Sequence, residues 1–339
     1  MQTKSASEKE KYRNVWVVAE TVSGQIQSVT GELLGKAREL ADKRGCEVWC
    51  VVLGAGVSGG LEELFHQQAD AVLLVEDQRL ESFVEETRAR LLVRLIEKHR
   101  PEILLCGATV RGRALVPRLA ALAWCGLTAD CTGLDIDTES GSLLLQTRPA
   151  YGGNIIATIK SENHRPQMAT VRPRVMQALS PDPKRRGRII REQMNGGDEP
   201  AGKRVLRSVR DTEARVKLVD ARYIIAGGRG LKGPEGFKLL EQLAALVGGA
   251  VGASRSAVDA GWAAYQRQIG QTGQTVQPKV YIACGISGQI QHLVGMQSSD
   301  LIVAINKDPE APLMKLADIA LVGDLFEIVP ELIRELQRT

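Results

Sequence analysis

The chain has 339 residues, 44% of them hydrophobic, which is enough to bury a full core and suggests two domains. A net charge of +4 with only 4% aromatic residues argues against a nucleic-acid binder, which concentrates basic residues and adds stacking rings. No stretch approaches the run of about 20 apolar residues that a membrane span needs. The polar N-terminus, MQTKSASEKEKYRN, has neither the apolar core of a secretory signal nor the Arg-rich character of a transit peptide. Residues 1–11 therefore read as a frayed tail on a cytoplasmic protein.

Asn14–Glu20 (NVWVVAE) predicts a strand, and Glu32–Arg44 a helix with Leu33, Leu34, Ala37, Leu40 and Ala41 on one face. Glu47–Leu53 predicts a second strand, Leu61–Gln68 a helix, and Ala71–Val75 a third strand. A longer helix over Ser82–His99 stops before Pro101. A strand over Glu102–Gly107 and a helix from about Gly112 to Cys125 follow. Strands alternating with helices imply a parallel sheet covered on both faces, and their continuous apolar runs fit burial on both sides. Leu143–Thr147, Asn154–Lys160 and Gln167–Val171 then read as successive strands, an antiparallel edge or an extension of that sheet.

Ser180–Arg222 breaks the pattern with SPDPKRRGR and NGGDEPAGKR. It reads in part as a solvated inter-domain connection, its basic run being either a solvated face or a phosphate or nucleic-acid patch. Alternation resumes with a strand at Tyr223–Ala226, a helix at Glu235–Val247, a strand at Lys279–Cys284 and a short helix at Gln289–Met296. Strands at Leu301–Asn306 and Ile319–Val322 and a final helix at Leu325–Leu336 complete a second α/β domain, doubly wound in outline.

The six cysteines form no CxxC pair and mostly sit in apolar runs, so they read as buried small hydrophobes rather than ligands of a metal or cluster. His66, His99, His164 and His292 are too scattered for a zinc site. The chemistry concentrates instead in three glycine-marked loops after second-domain strands: AGGRGLKGPEG (Ala226–Gly236), CGISGQIQH (Cys284–His292) and VGDLF (Val322–Phe326). Loops after strand C-termini converge on one crevice in a parallel sheet, and glycines let backbone N–H groups approach phosphate. The first loop is not G-x-G-x-x-G and no Walker lysine is present, so nucleotide binding and plain turn chemistry both remain open on this evidence. GASRSAVDAGW (Gly252–Trp262) and IGQTGQTVQPK (Ile269–Lys279) add Ser254, Arg255, Gln271 and Thr272, which read as a surface cation and a polar loop or as a wall around a flat ligand. Ser287 and His292 lack a G-x-S-x-G elbow and a third member, which argues against a hydrolase.

The run GQTGQTVQPKVYIACGISGQIQHLVGM, with AGGRGLKGPEGF, VGASRSAVDAGW, IVAINKDPEAP and ADIALVGDLFEIVPEL, closely resembles the FAD-binding domain of electron-transfer flavoprotein alpha subunits. CGATVRGRALVPRLAA, GLTADCTGL, RPAYGGNIIATI and MATVRPRV resemble that family's first domain, so the resemblance covers roughly Tyr12 to Leu336.

The resemblance implies a two-domain α/β protein. Residues 12–208 would be a parallel α/β sandwich with added strands, a framework and subunit-contact domain whose connection at about 181–208 is irregular. Residues 209–339 would be a Rossmann-like doubly wound FAD-binding domain. Arg229 would face the FAD diphosphate, and Ser254 and Arg255 would lie at the flavin. Ile269, Gly270, Gln271 and Thr272 would line the ring and ribityl chain, with the Thr272 hydroxyl near N5. Ser287, Gly288, Gln289, Ile290, Gln291 and His292 would wrap the phosphates and ribityl chain, the His292 ring near the pyrimidine carbonyl. Asn306 would meet the ribose, and Asp324 and Leu325 the adenine. GATVRGR (Gly107–Arg113) would have a structural or subunit-contact role. The implied partners are a beta subunit, a flavin-dependent dehydrogenase such as an acyl-CoA dehydrogenase, and a downstream quinone reductase or ferredoxin. No metal, nucleic acid or membrane span is implied, and hinge residues are expected within 181–222. The alternative is a stand-alone nicotinamide- or flavin-dependent oxidoreductase, against which the missing G-x-G-x-x-G and acidic ribose partner speak.

Overall fold

The computed structural model describes residues 9–138, 143–150, 155–198, 205–206, 218 and 221–338. The chain divides into two compact units, Met1–Ser208 and Val209–Thr339. Most of the expected tail, and residues 199–204 and 207–217 of the expected connection, lie outside the described residues.

The first unit is built around strands such as VWCVVLG and PEILLCG that are buried along their whole length. The described strands are β1 (Arg13–Val18), the short hairpin pair β2 (Thr21–Val22) and β3 (Gln25–Ile26), β4 (Val48–Gly54), β5 (Ala71–Glu76), β6 (Pro101–Gly107), β7 (Leu127–Cys131), β8 (Gly133–Asp137), β9 (Leu143–Ala150), β10 (Ile155–Ile159), β11 (Gln167–Val171) and β12 (Arg188–Glu192). Seven of them form one parallel sheet in the order β12-β5-β4-β1-β6-β11-β7. Every residue of β4 and of β6 is buried, because cores lie on both faces. One core packs Val15, Val17, Cys50 and Val52 against Leu33, Leu34, Ala37 and Leu40 of helix Val29–Arg44. The other packs Trp16, Val51 and Leu104 against Leu91, Leu92 and Leu95 of helix Glu85–His99 and Val116 and Leu119 of helix Val110–Leu122. Helix Val29–Arg44 stops at Gly45, whose φ of 59° is left-handed and closes the last turn without a side-chain penalty.

Two expectations are corrected here. Leu143–Ala150 and Ile155–Ile159 do not extend the main sheet; with β8 they make a separate antiparallel sheet in the order β10-β9-β8, while Gln167–Val171 lies inside the parallel sheet between β6 and β7. The stretch after Ser180 is not wholly irregular, since Arg188–Glu192 pairs in parallel with β5 as the sheet's edge. With Arg188, Ile189 and Arg191 exposed and only two apolar residues, it is hidden from a hydropathy scan, and edge strands are commonly charged. The preceding basic run is used locally, Arg185 donating to Asp70 at 2.6 Å and to Gln68 at 2.8 Å. Asn154 of the expected Asn154–Lys160 strand lies outside the described residues.

Chain order in the parallel sheet reverses between β1 and β6, where a ligand crevice opens in many α/β sheets. Here that crevice is filled. Arg88 donates to the carbonyls of Leu53 and Leu80, Arg111 donates to that of Thr21, and both guanidinium groups lie over Phe83 at 5.5 and 5.1 Å. The cavity left among these side chains is about 20 Å³, room for one water. A Cβ on Gly112 would stand 1.8 Å from the Gly107 carbonyl oxygen, so helix Val110–Leu122 sits directly on the end of β6. Within GATVRGR, Thr109 and Arg111 are tied into the first unit, while Val110 and Arg113 are exposed.

The second unit has five parallel strands: β13 (Tyr223–Gly227), β14 (Ala250–Ala253), β15 (Val280–Cys284), β16 (Ile302–Asn306) and β17 (Ile319–Val322). Their order is β14-β13-β15-β16-β17. Helices Glu235–Leu246 and Leu325–Arg338 cover one face through Phe237, Leu240, Leu243, Leu325 and Val329. Leu313, Met314 and Met296 cover the other. The strand β14 and the short helix Pro312–Leu316 have too few residues to give a period in the sequence.

Candidate functional site

The order of the second sheet reverses between β13 and β15, so the loops after these two strands flank the switch point where α/β sheets bind ligands. Both loops begin with glycine. Gly228 N–H donates to the Cys284 carbonyl and Gly230 N–H to that of Gly285, each at 3.0 Å. A Cβ on Gly228 would meet the Gly285 oxygen at 2.3 Å, and one on Gly230 the Gly285 Cα at 2.6 Å. Only glycine permits this backbone-on-backbone contact, which leaves the outer edges of both loops facing the crevice.

Beyond Gly285 the chain runs through Ile286, Ser287, Gly288 and Gln289 into the short helix Ile290–Leu293. Gly288 has φ +85° and packs on Leu313, where a Cβ would come within 2.5 Å. Ser287 accepts the Leu313 N–H through its carbonyl at 3.1 Å. The main-chain N–H groups of Ser287, Gly288 and Gln289 have no acceptor among the described residues, which is the donor set a phosphate takes up. Arg229 projects from the facing loop, exposed and with no carboxylate partner among the described residues.

Other segments are tied to the same edge by hydrogen bonds. Ser254 N–H donates to the Gly227 carbonyl at 2.9 Å, and its Oγ caps helix Arg255–Asp259 by accepting the Ala257 N–H. Arg255 opens that helix with its side chain 68% exposed, its Nε 3.4 Å from Asp259 Oδ2. Ile269 N–H donates to Ala253, and Gln271 N–H to Gln291 at 2.7 Å. Gly270 has φ +142° and lies against Gln291, a conformation and a clearance that other residues lack. Thr272 Oγ1 accepts from Gln268 Nε2 at 3.0 Å, and its carbonyl accepts the Tyr265 hydroxyl at 2.7 Å. The side chains of Gln271, Thr272, Ser287, Gln289, Ile290 and Gln291 are exposed at this edge.

His292 is buried, with Nε2 2.9 Å from the Tyr281 hydroxyl and Nδ1 3.1 Å from the Ile269 carbonyl. Asn306 ends β16 and braces two loops, donating to the Ile286 carbonyl and accepting the Asp308 N–H, each at 3.1 Å. Asp324 accepts the Phe326 N–H and pairs with Lys307 at 2.7 Å; the lysine holds its carboxyl below the usual range, helped by that N–H. Leu325 is buried, with its Cδ2 against Gly285.

The residues expected at the cofactor thus fall on loops at the carboxyl ends of β13, β14, β15, β16 and β17 or on the segment that folds back over them. Tyr281 and Lys307 were not expected there. The signal for Tyr281 was its hydroxyl in an otherwise aliphatic strand, since a buried phenol needs a partner.

A 2-1-3-4-5 parallel sheet with paired glycine loops at its switch point and a run of free N–H donors defines a dinucleotide-binding α/β protein. Known proteins narrow the class. The family model for the electron transfer flavoprotein domain matches residues 15–194, and that for the electron transfer flavoprotein FAD-binding domain matches residues 217–297. The chain is 48% identical over 327 residues to the electron transfer flavoprotein subunit alpha of Thermoanaerobacterium thermosaccharolyticum, covering 96% of this chain and 98% of that one. It is 47% identical to the subunit of the same name from Clostridium acetobutylicum, covering 97% and 98%. It is 40% identical to the acryloyl-CoA reductase electron transfer subunit beta of Anaerotignum propionicum, covering 95% of each. The chain belongs to the electron transfer flavoprotein alpha-subunit family; its role is electron transfer and its cofactor is FAD.

Proposed function

We propose that the second unit holds FAD across the β13/β15 switch point, with Arg229 and the N–H groups of Ser287, Gly288 and Gln289 at the diphosphate. Arg255, Ser254, Gln271 and Thr272 surround the isoalloxazine ring, and Ile269, Gly270, Ile290, Gln291 and His292 form the floor beneath it. Asn306 takes the ribose, and Asp324 and Leu325 border the adenine. The observation that carries this reading is the hydrogen-bond chain Gly227–Ser254, Ala253–Ile269 and Gln271–Gln291, which draws four separate segments to one sheet edge.

FAD supplies the capacity to take up and release electrons one or two at a time. The protein's part is electrostatic. Backbone donors and Arg229 neutralise the diphosphate, and the Arg255 cation opposes the negative charge that reduction adds. No side chain makes or breaks a substrate bond, so the protein is a carrier rather than a substrate-converting enzyme.

The chain pairs with a beta subunit through its first unit and receives electrons from a flavin-dependent dehydrogenase, of the acyl-CoA class by analogy with the acryloyl-CoA reductase subunit. It delivers them to a quinone reductase or ferredoxin in the cytoplasm. Hinge residues lie within 181–222, outside the strand Arg188–Glu192. No described helix is long and apolar enough to cross a membrane. The test is to co-express the chain with its beta subunit and follow a stepwise reductive titration by absorbance. Flavin that stays with a fragment ending near residue 208, rather than with the second unit, would overturn the assignment.

A further inference from the structure

Thr272 is held at both of its oxygens by one short turn. The 3₁₀ turn Tyr265–Arg267 runs directly into Gln268, which is 3% exposed. Gln268 closes the base of the loop that carries Thr272. Its carbonyl accepts the Gln274 N–H at 2.7 Å, and the Gln274 carbonyl accepts the Gly270 N–H at 3.1 Å. A Cβ on Gly273 would stand 2.4 Å from the Gln268 carbonyl oxygen, so glycine is what lets the chain return this tightly. The fold-back places Thr272 Oγ1 3.0 Å from Gln268 Nε2.

A threonine hydroxyl has one hydrogen to donate and two lone pairs. The Gln268 amide N–H occupies one lone pair of Thr272 Oγ1 from the buried side. The hydroxyl hydrogen must then point away from Gln268, and among the described residues no group accepts it. The Tyr265 hydroxyl, donating to the Thr272 carbonyl at 2.7 Å, fixes the backbone from which the side chain turns. Thr272 is exposed at the sheet edge, so the free hydrogen faces the crevice. Without the amide, the hydroxyl would rotate and offer the crevice a lone pair as readily as a hydrogen.

We infer that Gln268 is a positioning residue for the redox site, acting through Thr272 to keep its hydroxyl a hydrogen-bond donor toward the cofactor. The inference rests on the reading that Thr272 borders the isoalloxazine ring. Oxidised flavin presents acceptors along its polar edge, carbonyl oxygens and unprotonated ring nitrogens. An added electron raises their negative charge, and a hydrogen bond to a charged acceptor is the stronger one. A donor locked in place therefore favours electron uptake, and a lone pair in its place opposes it.

The test uses the complex with its beta subunit, reconstituted with FAD labelled with ¹⁵N and ¹³C in the isoalloxazine ring. Thr272→Val removes the donor, and Gln268→Met keeps the side-chain length while removing the amide. In Thr272→Val one ring signal should lose its hydrogen-bond shift. The first-reduction equilibrium constant should fall about fivefold, the worth of one ordinary hydrogen bond. Gln268→Met should move the same signal in the same direction and lower the constant about threefold. Added to Thr272→Val, it should change neither, because the hydroxyl through which it acts is gone. A Gln268→Met effect of equal size with and without that hydroxyl would overturn the inference, since the glutamine would then act on the loop as a whole. So would a wild-type signal and constant in Gln268→Met. A rise in the constant would also overturn it, because the amide oxygen would then be holding the hydroxyl hydrogen. If Gln268→Met does not fold, ¹⁵N-glutamine labelling decides. Thr272→Val must shift a side-chain amide pair protected from solvent exchange, and no such shift overturns the inference. The underlying reading fails separately: ring signals unmoved by Thr272→Val would place the flavin away from this loop, and the inference would fall with it.

Discussion

Gly230 donates its N–H to the Gly285 carbonyl at 3.0 Å, and a Cβ on Gly230 would stand 2.6 Å from the Gly285 Cα. This contact sets the spacing of the two loops on which the diphosphate is proposed to rest. Gly230→Ala must push them apart, and overpacking of this kind costs about 1–3 kcal/mol. FAD affinity should fall at least about tenfold, since about 1.4 kcal/mol is a factor of ten. Titration of the apoprotein with FAD, followed by flavin absorbance and fluorescence, measures it. Affinity within twofold of wild type would show that the loop spacing does not govern binding.

Arg255 provides the second test. Its side chain is 68% exposed and its partner, Asp259, lies at 3.4 Å, so as a surface ion pair it should matter little to stability. Against the flavin, a unit charge at about 4 Å and an effective dielectric near 20 is worth roughly 4 kcal/mol, which solvent and Asp259 reduce to about 1 kcal/mol. Arg255→Ala should lower the first reduction potential by about 40 mV, and Arg255→Lys by less, because the charge remains while the planar fork is lost. FAD content should change little. Redox titration of all three proteins decides, and equal potentials would remove Arg255 from the flavin.

Stability of the first unit should be separable from the cofactor. Glu102 and Arg165 are 4% and 6% exposed and meet at 2.6 Å, with Gln167 donating to the same carboxylate oxygen at 3.1 Å. Arg165→Met strands a buried carboxylate whose remaining cation, Arg44, stands at 3.8 Å. Breaking such a pair costs about 3–5 kcal/mol. Denaturant unfolding followed by the tryptophans, including Trp16 and Trp49 of this unit, should shift by that order. FAD retained in the second unit should be unchanged.

His292 should leave a signature in acid. Its folded value of about 4 lies below the ordinary histidine value, so the unfolded chain takes up a proton first as the pH falls. The contribution is fully present above about pH 6.5 and is lost progressively toward pH 4, by up to about 3 kcal/mol. The second unit should therefore weaken over that window, and His292→Gln should weaken less steeply. Parallel slopes of stability against pH in the two proteins would show that the ring is not held neutral.

Local sequence marked the long apolar strands of both sheets and the longer helices, because these are short-range events, but not the strands β2, β3, β7, β8, β12 and β14. Continuous apolar runs such as VWCVVL and VYIAC read as buried strands, and Pro101 marks a helix end because it cannot continue one. The proposed FAD site could be put forward from the sequence because its glycine loops and the GQTG and ISGQIQH segments are each contiguous in the chain. Three matters were decided only by tertiary structure. Arg188–Glu192 is a strand because β5 offers it an open edge, which no hydropathy period announces. Leu143–Ala150 and Ile155–Ile159 leave the main sheet because Gln167–Val171 takes the place beside β6, and that competition involves residues far apart in sequence. Burial holds the His292 ring below its ordinary range, and its two nitrogens face the Tyr281 hydroxyl, eleven residues before it, and the Ile269 carbonyl, twenty-three before it. A histidine's charge depends on burial and on what faces each ring nitrogen, and only the folded chain brings those groups together.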